Sequence, residues 1–496
     1  MTKRSIIAVL ATVLAMSLSA CGGGSGEVQP PTGDVAIIFT DGPTDQYERI
    51  LVSMTGMTLI GPGGQVDLYD GPEVTFDLLQ MSDWGDLAFN TKVLAGQYNK
   101  IRLVLSKVEL VNLDTASGQP ESETLDALPA NGKVDLNPRG PFEVSPEYTT
   151  VIKLDMDAKR SFQVVQTGNN KLKLRPIIFV EVYEGDIFLS DRLVRVRGTA
   201  QEDSFTNEDV SDAANDSFRL CNLEFISQTN GPSGSDPNCV RIYTVENNTG
   251  SFGRSGIFDG SGMAADFAAI AAGQTLTAVG FVVDSADGQA FLGLSTAVVE
   301  IGDRSAYAVG GGWDTVRGIV EQDQTSCNPD QCFPYIPVED LPDGAITTRM
   351  QVDTKVFRAD GVVLAQADVS MDDTGSIDAY RADMNGELYA ALVVLGTDVG
   401  SGAVTGSLQT VDPIGGTAYT KLQVLTDAGG MFDVCVDSET EIVQVLADDE
   451  LVTLLDVIDP SVLETGSVIE AFGDTDPPPP MCDMLADQVI VEPSQQ

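Results

Sequence analysis

The sequence has 496 residues and no histidine. This excludes Ser-His-Asp and Cys-His catalysis, imidazole metal ligands and an imidazole pH switch. Tryptophan is nearly absent, with only Trp84 and Trp313, and aromatic residues make up 6% of the chain, leaving few rings for stacking on sugars. Positive charge is scarce as well: 28 Lys and Arg stand against 74 Asp and Glu, a net charge of −46. A field of that sign repels nucleic acid and anionic lipid. Beyond the N-terminus, long apolar runs are lacking. The best, residues 267–283, is uncharged but broken by Gly273, Gln274, Thr275, Thr277 and Gly280, which suits strand-turn-strand and not a lipid-facing helix. What remains is a chain with 43% hydrophobic residues, enough for packed domains, and a length that suggests about three or more of them.

The N-terminus has an export layout. Lys3 and Arg4 precede an apolar run from Ile6 to Met16, then Leu18-Ser19-Ala20-Cys21. The run is too short to span a bilayer, and the small residues ahead of Cys21 suit a signal peptidase. The pattern resembles the bacterial lipobox, in which the cysteine becomes a diacylated N-terminus; the competing reading is an ordinary signal peptide cut nearby. Gly22-Gly23-Gly24-Ser25-Gly26 follows as a flexible tether. More than one acyl chain holds a protein stably on a membrane. By analogy with lipoprotein sorting, Gly22 after the cysteine points to the outer membrane.

Charge divides the chain. Residues 1–197 carry 18 basic and 25 acidic side chains, whereas residues 198–496 carry 10 and 49, with Lys355 and Lys421 as the only lysines. The first part reads as strands: Ile101, Leu103 and Leu105, and again Ile152, Leu154 and Met156, alternate with residues facing the other way. Asp41-Gly42, Asp70-Gly71 and Asn131-Gly132 supply turns. Leu94-Ala95-Gly96-Gln97-Tyr98 has the form of a tyrosine corner, which gives Tyr98 a structural task. An antiparallel β-sandwich is the expectation.

Phe39-Thr40-Asp41-Gly42-Pro43, Leu94 to Tyr98, Ile101-Arg102-Leu103, Ile152 to Ala158 and Leu172 to Pro176 together resemble the bacterial lipoprotein module known as domain of unknown function 4382, from Asp34 to about Glu184. That family carries no activity to transfer; the resemblance implies a fold and a lipoprotein setting. The second part reads as about three related β-modules. Their starts are alike: Val196-Arg197-Gly198, Val316-Arg317-Gly318 and Val404-Thr405-Gly406. Later strands such as Leu276 to Val282, Ser376 to Tyr380 and Ser467 to Gly473 also correspond. These modules are similar to the small β-barrel repeats known as domain of unknown function 5666.

Apart from Cys21 there are six cysteines. One pair falls in each module, so the expected disulfides are Cys221–Cys239, Cys327–Cys332 and Cys435–Cys482, as oxidising surroundings favour. Zinc is the competing reading, but it would need four thiolates converging from separate modules without histidine.

Acidic clusters are the only dense chemistry. Asp368, Asp372, Asp373, Asp378, Asp383 and Glu387 crowd one stretch, and Asp448-Asp449-Glu450 another. Ca²⁺ wants six to eight oxygen ligands, yet no EF-hand order is present, so a solvated acidic surface with hairpin turns is the reading adopted. A carboxylate pair can run glycoside hydrolysis without histidine, but 74 acids make such pairs commonplace. Gly310-Gly311-Gly312-Trp313 lacks the strand-to-helix setting of a phosphate loop and reads as a linker. Both tryptophans are assigned to packing, with Trp84 the more open to a loop.

The sequence therefore predicts an all-β protein: signal peptide 1–20, tether 21–33, β-sandwich 34–190, and β-barrel-like modules at 194–303, 313–400 and 402–493. Lipidation falls on Cys21; no catalytic residue, metal ligand or cofactor is assigned. The expected role is that of a non-enzymatic, lipid-anchored envelope protein, structural, adhesive or binding a protein or glycan. A polysaccharide-acting carboxylate enzyme and a Ca²⁺-stabilised binding module are the alternatives.

Overall fold

The computed structural model describes residues 30–492 apart from 41–46, 48, 82, 115–118, 126–127, 139, 157–164, 167–171, 174–177, 186–187, 203–204, 206–215, 225–238, 245–251, 286–291, 305–310, 338–344, 382–385, 397–400, 427–428, 439, 449–452, 458, 475–478 and 480. The chain is all-β, its helical turns being 3-10 segments of three or four residues among the described residues.

The N-terminal part is a two-sheet sandwich. One sheet runs Phe179–Tyr183, Thr149–Asp155, Thr32–Thr40, Gly85–Leu94; the other is centred on Gly64–Asp77, Arg49–Gly61 and Lys100–Asp114. Ile101, Leu103, Leu105, Ile152, Leu154 and Met156 all point into the core between them, as the alternation requires. Tyr98 closes its corner by donating its hydroxyl to the Leu94 carbonyl at 2.7 Å.

Two expectations need correction. The sandwich is not antiparallel throughout: Thr32–Thr40 and Thr149–Asp155 run parallel, with Ile37 opposite Ile152. Parallel strands need a long crossover and cover on both faces. Both are present, because the second sheet fills the crossover and the strand packs Val35, Ile37 and Phe39 into one core and Ala36 and Ile38 into another. Asp70-Gly71 is not a turn either; it lies within Gly64–Asp77, beside a bulge opposite Gly56. The hairpin reverses at residues 62–63 instead, between the paired Gly61 and Gly64.

Three small barrels follow. Barrel 1 consists of Phe188–Ala200, Ser217–Glu224, Cys239–Tyr243 continued by Gly256–Phe258, Thr275–Val283 and Leu292–Ile301. Barrel 2 consists of Gly312–Val320, Gln331–Pro337, Ile346–Arg358, Thr374–Arg381 and Leu388–Leu395. Barrel 3 consists of Ser401–Pro413, Thr420–Thr426, Met431–Val436 continued by Glu441–Asp448, Val468–Asp474 and Met484–Glu492. In each, the first strand pairs with the second and fourth, the second with the third, and the fifth with both third and fourth, the third and fifth running parallel. The order 1-2-3-5-4 therefore closes on itself, the Greek-key path of an OB-fold. Residues 267–274, read as part of a strand pair, instead contain the 3-10 turn Phe267–Ala269 ahead of the fourth strand of barrel 1.

The repeated Val-x-Gly start has a steric cause. A Cβ on Gly198, Gly318 or Gly406 would lie 2.6, 2.1 or 2.3 Å from a carbonyl oxygen of the second strand. Only glycine lets the two strands approach that closely. Barrel 1 also begins earlier than residue 194, since Phe188 already pairs with Val283. Its first strand extends the sandwich sheet, with Val194 and Arg195 beside Gly85 and Asp86.

Candidate functional site

The densest chemistry in the described structure lies where sandwich, barrel 1 and barrel 2 meet. Register relates the two barrels there: Arg195 stands opposite Val279 in barrel 1 as Thr315 stands opposite Asp378 in barrel 2. By the same register Phe258 corresponds to Phe357, Val298 to Leu392 and Ala297 to Ala391. All six of these apolar residues belong to one shared core, which also holds Trp84 and Trp313. The barrels thus meet through the same face, in the manner of an isologous dimer built within one chain.

At the centre of this face is a buried ionic network. Arg195, fully buried, grips Asp86 of the sandwich from Nε (2.9 Å) and Nη2 (3.4 Å), and donates from Nη1 to Thr315 Oγ1 of barrel 2 (2.8 Å). The Trp84 ring lies 5.1 Å from its guanidinium carbon, a cation–π contact. Arg304 donates to Glu300 Oε2 (2.9 Å), to Asp378 Oδ1 (2.5 Å) and to Thr315 Oγ1 (2.7 Å). Thr315 in turn donates to Asp378 Oδ1 at 3.1 Å. Ser376 of barrel 2 bonds to Asp83 of the sandwich, and Trp313 Nε1 donates to the Ile301 carbonyl at 3.0 Å.

Burial and neighbours push these acids apart. Glu300 is raised well above the ordinary glutamate value, first by loss of solvent and then by the charge of Asp378. Asp378 also loses solvent, but Arg304 and Arg195 outweigh that and hold it below the ordinary aspartate value. Asp314 is pushed up to about 6 by burial, against the pull of Arg304 and Arg381. Arg304 stays charged because Asp378 and Glu300 offset its own desolvation. Buried ions of this kind hold only when they are paired and hydrogen-bonded, so the network fixes the three parts in register.

Other predicted residues fall elsewhere. Cys21, Asp383, Asp449 and Glu450 lie outside the described residues, as do the side chain of Asp448 and the turn Asp41-Gly42. The cysteines are bonded as Cys221–Cys239, Cys327–Cys332 and Cys435–Cys482. The acidic stretch is dispersed. Asp368 and Asp373 accept from the backbone amides of Ala365 and Ser370, and Glu387 pairs with Arg349 at 2.9 Å. Asp378 departs from the solvated-surface expectation, because it is fully buried in the joint. Its strand faces a second barrel rather than water. Among the described residues no group of three or more acids or cysteines could hold a metal ion. Trp84 and Trp313 are both buried at 1% exposure, so neither offers a ring to a ligand.

Residues 83–86, 195, 300, 304 and 315 carry the joint and are not apparent from sequence motifs. The signal was a charge set inside an apolar strand, as in Leu193-Val194-Arg195-Val196 and Val298-Val299-Glu300-Ile301. Separately, a groove of about 720 Å³ lined by Pro138, Pro141, Phe142, Val180 and Tyr183 follows the outer edge of the sandwich.

Residues 32–176 match the family model described as Domain of unknown function (DUF4382). The match covers the sandwich up to the last part of its first sheet and leaves the barrels outside it. No curated protein matches the chain.

Proposed function

We propose that this is a non-enzymatic lipoprotein of the bacterial cell envelope, exported and held by acyl chains on Cys21, most simply at the outer membrane. Its acidic sandwich and barrels present binding surfaces to a protein or glycan, with the sandwich and barrels 1 and 2 held together as one unit. One observation carries the reading: the densest cluster of charge is sealed from solvent and joins three parts of the chain. Such a cluster serves rigidity, because a substrate cannot reach it. Three disulfides suit an oxidising compartment outside the cytoplasm. The common strand order of the barrels supports the likeness to domain of unknown function 5666. OB-type barrels bind oligosaccharides or oligonucleotides over strands 2 and 3, and a net charge of −46 speaks against the latter.

Mass spectrometry of the N-terminal peptide tests the anchor: a diacylglyceryl group on Cys21, absent from Cys21→Ser, is the expected result, and an unmodified mature terminus elsewhere overturns it. Glycan arrays and polysaccharide hydrolysis assays on the form lacking Cys21 test the rest. Binding without turnover supports the proposal, whereas turnover that disappears with one carboxylate replaces it with an enzyme. Melting with EDTA or added Ca²⁺ should leave the transition in place.

A further inference from the structure

We infer that Glu300 and Asp378 share one proton across the joint between barrels 1 and 2, and that this proton makes the joint tighter in mild acid than in alkali. Geometry brings the two acids together. One guanidinium, Arg304, holds both, with Nη1 on Glu300 Oε2 at 2.9 Å and Nη2 on Asp378 Oδ1 at 2.5 Å. Both carboxyl groups are fully buried. Their remaining oxygens, Glu300 Oε1 and Asp378 Oδ2, meet no hydrogen-bond donor among the described residues, although both are buried; Arg195 Nη1 stands 3.9 Å from Asp378 Oδ2. Acceptors left bare beside the same guanidinium are costly, and because the two carboxyl side chains are hydrogen-bonding partners of one another, a single proton supplies the donor that the pair lacks.

Charge counting agrees. The groups facing the pair are Arg195 from the first strand of barrel 1, Arg304 after its last, Asp86 from the sandwich, and Asp314 and Arg381 from barrel 2. Arg195 is taken up by Asp86, leaving Arg304 as the guanidinium bonded to the acid pair. With Arg381 set against Asp314, three guanidiniums face four carboxyl groups, and one acid is in excess. Asp378 keeps the charge, because Arg304, Arg195 and Thr315 all turn to it, and Glu300 keeps the proton. The direction of each titration fits that assignment.

The sign follows. The folded joint binds the Glu300 proton more firmly than the separated chain does, so its contribution is fully present below the ordinary glutamate value and is lost as pH rises through that value to the folded one. Asp378, held low, acts oppositely and withdraws support only in stronger acid. Hence mild acid is where the joint is firmest. This is a property of the fold and holds whatever the barrels bind.

Two measurements on the full chain in detergent decide it. Infrared spectra at pH 7 should show a protonated carboxyl band that Glu300→Gln removes. Hydrogen exchange should show the opening equilibrium of Gly312–Val320 growing with pH, up to about tenfold per pH unit within the titration window, and Glu300→Gln should flatten that response. A missing carboxylic-acid band at pH 7, or an unchanged pH response in Glu300→Gln, overturns the inference. Should the variant fail to fold, the wild-type spectrum with carboxyl-labelled glutamate decides alone: an ionised Glu300 at pH 7 refutes the shared proton, and a protonated one supports it.

Discussion

Barrel 3 follows the same strand path as barrels 1 and 2 but differs at the face through which those two meet. Where barrel 1 has Leu193, Arg195 and Phe281, and barrel 2 has Trp313, Thr315 and Tyr380, the corresponding register positions of barrel 3 hold Ser401, Ala403 and Asp474. Its core is built from its own strands, Val404, Leu408, Leu422, Val424 and Ile469 among them, whereas Trp313, Phe357 and Leu392 of barrel 2 share a core with barrel 1. Two kinds of position are thus separable in one module. The close-approach glycines and the inward apolar residues fix the barrel; the outward residues of strands 1, 4 and 5 decide whether it fuses to a neighbour. The same fold is a self-contained unit in one setting and half of a joint in another.

Removing Arg195 should break this contrast most sharply. Arg195→Ala takes the Arg195 guanidinium away from the buried carboxylate of Asp86, and breaking a buried pair costs about 3–5 kcal/mol. Urea unfolding should show the transition of the sandwich and barrels 1 and 2 falling by that amount, with that of barrel 3 unmoved. The converse is the paired change Cys435→Ser and Cys482→Ser, which opens a bridge spanning 47 residues in barrel 3. Loop-closure entropy puts its contribution at about 4 kcal/mol, against about 2 kcal/mol for the five-residue bridge of Cys327–Cys332. Barrel 3 alone should lose stability in that variant, and separate transitions for each part would be the readout.

How much of this was written in the sequence depends on the range of the cause. Alternation at Ile101, Leu103 and Leu105, the tyrosine corner at Tyr98 and the repeated glycines act between neighbouring strands, and each left a local pattern. Cysteine placement, one pair to a module, matches the bonds that form. Asp378 shows where such reasoning stops. Its neighbours Ile377 and Ala379 mark a strand, but nothing local says that Asp378 meets a second barrel and not water, and Val279, at the matching position of barrel 1, is buried in the same shared core. Burial of Asp378 is caused by Arg195 and Arg304, 183 and 74 residues away in the chain, and only the assembled fold brings them together. The parallel pairing of Thr32–Thr40 with Thr149–Asp155 is hidden for the same reason.

Steric fit at the joint gives a smaller and more selective test. Gly262 has φ +78°, and a Cβ there would fall 2.4 Å from Tyr380 Cβ of the facing barrel. Gly416 in barrel 3 has φ +83° with open space around it. Alanine at either site carries the left-handed penalty, about 1–2 kcal/mol. Only Gly262→Ala adds overpacking, which costs about 1–3 kcal/mol more. The difference between the two variants in thermal unfolding isolates the contact between barrels from the backbone term, and equal losses would mean that the barrels yield without cost at this point.

The smallest effect is expected where an ion cluster of similar make-up lies outside the joint. Arg349 in barrel 2 bonds Glu387 at 2.9 Å and Asp330 at 3.3 Å, and lies over the Tyr389 ring at 5.9 Å. Its side chain keeps 21% exposure, and Glu387 keeps 42%. Water and salt screen such pairs, whose contribution is about 0–1 kcal/mol. Arg349→Ala should therefore cost no more than that, and the cost should shrink further in high salt, while the loss in Arg195→Ala persists. An Arg349→Ala defect as large as that of Arg195→Ala would mean that burial at the joint is not what gives the ion network its strength. Matched losses at low salt that separate only as salt is added would assign the distinction to screening instead of desolvation.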